Sequence, residues 1–103
     1  LLSNNTISML YSSGTLLGVY RDIRITSNQI RLSKNDRLFM FTDGLVEIDI
    51  NGEKDLRFDI LYESILKTKD MPLEESVQIL LKDATSQNRT IDDDIAIIAL
   101  EVC

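Results

Sequence analysis

The chain has no histidine, no tryptophan, one cysteine, one proline and four glycines among its 103 residues. Zinc sites draw mainly on His and Cys, so a chain without His and with a single Cys is a poor zinc binder. Cys103 cannot form an internal disulfide and, at the chain end with no base in view, it is not a nucleophile. No apolar run approaches the roughly 18 residues of a membrane span, and nothing resembles a signal peptide. Basic residues are also scarce: 11 Lys and Arg stand against 17 Asp and Glu, for a net charge of −6. Long-range repulsion therefore disfavours unassisted binding to nucleic acid or anionic lipid. The expectation is a cytoplasmic chain with neither nucleic acid nor a membrane span among its contacts. The glycosylation-like triplets at Asn4 and Asn88 are then chance occurrences. There is no repeat, linker or low-complexity stretch, so one compact unit is expected, near the size at which burial begins to offset chain entropy.

What the chain does have is organised around Arg37 to Glu47, Arg-Leu-Phe-Met-Phe-Thr-Asp-Gly-Leu-Val-Glu. Leu38 to Phe41 are bulky and too few for a helix before the Asp-Gly breaker, which predicts a strand buried on both faces. Asp43 stands at its C-terminal end. Gly44 permits backbone angles closed to other residues, so the chain can turn there and leave the Asp43 carboxylate facing a cleft. Near the other end, Asp92-Asp93-Asp94 leads directly into Ile-Ala-Ile-Ile-Ala-Leu-Glu-Val, a second apolar strand. If the two strands are antiparallel neighbours, the end of the first lies beside the start of the second. Asp43 and the triplet would then share one oxygen-rich edge, suited to hard cations such as Mg2+ or Mn2+. Read from the residues alone, Asp43 is either such a ligand or an aspartate bonding its own turn. The triplet is either a metal site or a charged turn that protects a sheet edge.

The remaining pattern supplies a scaffold. Thr6 to Tyr11 starts a strand after the Ser3-Asn-Asn turn signal, and Ile23, Ile25, Ile30 and Leu32 alternate with polar residues as in a hairpin. Asn51-Gly52 is the clearest turn signal. Phe58, Leu61, Tyr62, Ile65 and Leu66 fall at helical spacing, with Lys67 and Lys69 where the helix dipole favours cations. Met71-Pro72 breaks that helix. A second helix follows with Glu74 and Glu75 in its first turn and Leu73, Val77, Leu80, Leu81 and Ala84 on one face. The order of elements predicts an α+β fold, an antiparallel sheet with two helices over one face.

These residues carry a family resemblance. Lys34 to Glu47 resembles the GD-x-L-hydrophobic-TDGL-x-E segment of PPM-type serine/threonine phosphatases, most closely in the SpoIIE/RsbU branch. Asp93-Asp94-Ile-Ala-Ile-Ile resembles the branch's closing Asp-Asp strand, and Gly14 to Val19 its Pro-Leu-Gly loop. Two departures are Asn35, where the family has Gly, and Leu16, where the loop often has Pro. The resemblance implies part of a four-layer αββα sandwich. An earlier Gly-Asp metal motif and an Ala-Gly-His-x-Pro segment of the family do not occur in these residues. Residues 1–103 thus look like the C-terminal part of such a phosphatase domain, inactive by themselves and prone to self-association through uncovered sheet surface.

The resemblance further implies a two-metal site using Mn2+ or Mg2+, incomplete in this chain, with Asp43 and Asp93 as ligands. Gly44 and Asp94 would stand behind those ligands, and Asp92 lies outside the motif. The implied reaction is hydrolysis of phosphoserine or phosphothreonine on a protein, with a small anti-sigma-factor antagonist as the suggested substrate and a sensory domain upstream. A haloacid-dehalogenase-type phosphatase would need its nucleophilic Asp two residues before Asp43, where Phe41 stands. A degenerate, non-catalytic interaction module is the alternative.

Overall fold

The computed structural model describes residues 1–11, 18–86 and 94–103. Among them a four-stranded antiparallel sheet has the order β2-β1-β3-β6, built from β1 (Leu2–Ser3), β2 (Thr6–Ile7), β3 (Arg37–Phe41) and β6 (Ile97–Glu101). A separate two-stranded hairpin pairs β4 (Glu47–Ile50) with β5 (Glu53–Leu56). The helices α1 (Phe58–Lys67) and α2 (Leu73–Thr85) lie between β5 and β6 in the chain. This is the α+β arrangement of antiparallel sheet and two helices that the sequence predicts.

Local chemistry explains the turns. Asn4 and Asn5 join β1 to β2 with φ of 49° and 64°, and Asn51 and Gly52 join β4 to β5 with φ of 54° and 84°. Two central residues at positive φ give the turn whose twist matches that of the flanking strands, and Asn and Gly tolerate it best. The Asp49 carboxylate accepts the Gly52 N–H at 2.8 Å and tightens the second turn. Asn35, which replaces the Gly of the resembling motif, has φ of 71°, so Asn serves there as the next most tolerant residue. Beside it the buried Asp36 accepts the Ser33 N–H at 2.9 Å, the work of a turn aspartate.

The core forms where the helices cover one face of the sheet. Leu2 and Phe39 meet Leu61 and Ile65 of α1 and Leu80 and Ala84 of α2, with Leu45 and Val46 filling the corner after β3. Full burial of each large side chain is worth about 1.5–3 kcal/mol. Between the helices Thr68 Oγ1 donates to the Ser64 carbonyl at 2.8 Å, which leaves Ser76 Oγ to donate to Thr68 Oγ1 across 2.6 Å. The buried face of α2 therefore runs through Ser76, Leu80 and Ala84, while Leu81 is exposed.

Two expectations are corrected. β3 and β6 are not buried on both faces: Met40 is 47% exposed and Ile98 62%, because the helices cover only the side that carries Phe39 and Ala99. The molecule is a slab of 45 × 41 × 19 Å, about the thickness of one sheet and one helix layer. The hairpin over Ile23 to Ser33 does not form either. That stretch is irregular and exposed apart from a half-buried Leu32 and a lone bridge at Ile25, which is 74% exposed. Alternation offers one apolar face, and without a surface to bury it the pairing gains too little to offset chain entropy.

Candidate metal-binding corner

The register of the central pair sets the geometry. β3 and β6 run antiparallel with Arg37 opposite Glu101 and Phe41 opposite Ile97. One step further, the Thr42 N–H donates to the Ala96 carbonyl at 3.1 Å. The C-terminal end of β3 therefore lies beside the start of β6, which is the juxtaposition the acidic edge requires.

Past Thr42 the backbone tightens into a 3-10 turn over Asp43–Leu45, closed by Leu45 N–H to Thr42 O at 3.1 Å and Val46 N–H to Asp43 O at 3.0 Å. Asp43 is exposed while Gly44 and Leu45 are buried, so the turn anchors itself by its apolar side and offers its carboxylate to solvent. Gly44 does not serve as the sequence suggests: its φ is not positive. It provides space instead. A Cβ on Gly44 would stand 2.8 Å from the Asp94 carbonyl oxygen and 3.3 Å from Ile95 Cγ1, so only glycine lets the two chain segments approach this closely.

Thr42, to which the sequence by itself assigns no role, bridges the two segments of the corner. Its Oγ1 accepts the Ala96 N–H at 3.0 Å and donates to the Asp94 carbonyl at 3.3 Å. A hydroxyl immediately before Asp-Gly, on the strand next to an acidic strand start, was the available signal. Asp94 itself is exposed. Asp92 and Asp93, with the Gly14 to Leu17 part of the loop motif, lie outside the described residues. Glu47, which the motif shares, forms an ion pair with Lys54 at 3.0 Å across the β4–β5 hairpin.

Asp43 and Asp94 are both exposed at this corner, and their carboxylates, like the backbone carbonyls beside them, are hard oxygens. That chemistry fits Mg2+ or Mn2+ better than zinc. Among the described residues no group of three or more His, Cys, Asp or Glu side chains gathers to hold an ion, so these residues alone do not complete a coordination sphere. An apolar groove of about 410 Å³ lies elsewhere, lined by Leu2, Ile7, Leu10, Phe39 and Tyr62, and neither Asp43 nor Asp94 lines it.

Among the described residues no helix is long and apolar enough to cross a membrane. No curated protein matches the chain, and no solved structure does. The family model described as stage II sporulation protein E (SpoIIE) matches residues 1–103, the whole chain, and the chain belongs to the SpoIIE family of PPM-type phosphatases.

Proposed function

We propose that the chain contributes to metal-dependent hydrolysis of phosphoserine or phosphothreonine esters on a protein, in the cytoplasm, with Asp43 and Asp93 as its ligands to Mn2+ or Mg2+. The observation that carries this reading is the antiparallel β3–β6 register, which puts the Asp43 turn against the Asp94 backbone in a chain matched end to end by the family. Asp43 is offered to solvent from a turn anchored by buried Gly44 and Leu45, as a carboxylate that must meet both metal and substrate requires. The start of β6 is held alongside it by Thr42. When bound, divalent cations supply a water of lowered pKa and neutralise phosphoryl oxygens, which would also offset the repulsion between an acidic chain and a phosphorylated substrate. Such a site needs neither histidine nor a nucleophilic cysteine. A small phosphoserine protein of the anti-sigma-factor-antagonist type is the proposed substrate.

The test is hydrolysis of a phosphoserine protein by the full-length protein. Turnover should require Mn2+ or Mg2+, vanish on chelation and return on adding either metal. Absence of turnover with both metals would instead favour a phosphatase-like interaction module.

A further inference from the structure

The corner contains one side chain that touches neither carboxylate yet spans the gap between the segments that carry them. Thr42 sits on the β3 side, one residue before Asp43. Its backbone N–H reaches the Ala96 carbonyl at 3.1 Å, its Oγ1 takes the Ala96 N–H at 3.0 Å, and the same Oγ1 donates to the Asp94 carbonyl at 3.3 Å. A regular ladder would leave this last step of β6 to be bonded by main chain alone. Here a hydroxyl substitutes for a backbone acceptor and also takes hold of the carbonyl two residues earlier. The effect extends the register of the ladder past Phe41–Ile97 into the acidic segment.

Gly44 closes the same arrangement from the other side. The Asp94 carbonyl that Thr42 holds is the atom a Gly44 Cβ would meet at 2.8 Å. The Asp94 backbone is thus bonded by Thr42 and confined against Gly44, with Asp43 between these two residues in the chain. We propose that Thr42 is a positioning residue, fixing the start of β6 relative to Asp43 so that the carboxylates of the two segments reach one metal centre. The proposal rests on the phosphatase reading above. Groups that orient metal ligands without touching the metal commonly matter about 10- to 100-fold in affinity.

Thr42→Val preserves the β-branched shape and removes both hydroxyl bonds, while Thr42→Ser keeps them. Both are made in the full-length protein beside Asp43→Asn. In the metal-free state, hydrogen exchange of the Ala96 amide should quicken about tenfold in Thr42→Val, the scale of one lost hydrogen bond. Mn2+ affinity, read by calorimetry, should fall about 10- to 100-fold in the same variant. Thr42→Ser should restore both quantities. An unchanged Ala96 exchange rate, an unchanged Mn2+ affinity in Thr42→Val, or an equal loss in Thr42→Ser would each overturn the positioning role. Asp43→Asn separates the two levels of the claim. If it abolishes Mn2+ binding while Thr42→Val does not, only the role of Thr42 fails; if it leaves Mn2+ binding intact, the metal reading fails and the role of Thr42 with it.

Discussion

At one end of the β3–β6 ladder Arg37 donates from Nε to Glu101, from one terminal nitrogen to the Thr68 carbonyl at 3.2 Å and from the other to the Met71 carbonyl. At the opposite end, just past the last residue of the same strand, Thr42 makes neutral bonds to Asp94 and Ala96, and Asp43 and Asp94 are exposed. The first end spends its charge on the fold. A buried guanidinium there ties both strands to the carbonyls at the α1–α2 corner, where cations suit the helix C-terminus. The second end satisfies its backbone with a hydroxyl and turns the exposed Asp43 toward solvent. On the proposed reading, one end of the ladder serves stability and the other chemistry, since the Arg37 charge is already paired within the fold.

That division can be broken most sharply at the acidic end. In the full-length protein Asp93→Asn should lower metal-dependent turnover more than about a hundredfold, whereas Asp92→Asn should cost far less, because the proposed function gives the ligand role to Asp93 alone of the two. Comparable losses in a steady-state assay would place the ligand register one residue away.

A paired comparison follows at the two ends. Arg37→Met should destabilise the protein by about 2–3 kcal/mol, since it removes the Arg37 donor from the Met71 carbonyl and from Glu101 and leaves the Thr68 carbonyl only the Met71 N–H. Turnover per folded molecule should stay near the parent value. Gly44→Ala should cost about 1–3 kcal/mol by forcing the Asp94 carbonyl aside, and it should weaken Mn2+ binding as well. Denaturant midpoints and metal titrations on both variants would contradict the division if their patterns were exchanged.

The smallest effect concerns a charge used for packing far from either end. The Ser64 hydroxyl, donating to Asp83 at 2.6 Å, and the Lys67 ammonium at 2.9 Å hold the Asp83 carboxyl below its ordinary pKa. A depressed carboxylate contributes stability that is present above its unfolded value and is lost as pH falls through the folded value. Asp83→Asn should therefore have a lower melting temperature than the parent at neutral pH, with the gap narrowing only below the usual carboxylate range. A gap that stayed constant into strong acid would mean that the contact is steric rather than ionic.

Much of this was legible in residue order. Asn4-Asn5 and Asn51-Gly52 announced their turns because few residues accept positive φ, and the helical period of Phe58 to Ile65 announced α1 because one face had to meet a core. Asp43 was legible as a candidate from the break between an apolar strand and Asp-Gly. The stretch from Ile23 to Ser33 misled because alternation specifies a face without specifying what covers it. Leu38 to Phe41 misled in the same manner, since an apolar run records which residues tolerate burial and not how many layers bury them.

By itself the sequence determined the kinds of element, their turns, the hard-oxygen character of the donor set and the exclusion of zinc-like and thiol chemistry, all of which follow from side-chain identity and short-range backbone preference. Only the tertiary structure decided that Gly44 serves by its missing Cβ rather than by its φ, that Arg37 is consumed by the fold, and that Thr42 joins the two strand ends. Each of those depends on an atom more than 30 residues away in the chain meeting it within a few ångströms, a relation fixed by the β3–β6 register and by the packing of α1 and α2, which local propensity does not encode.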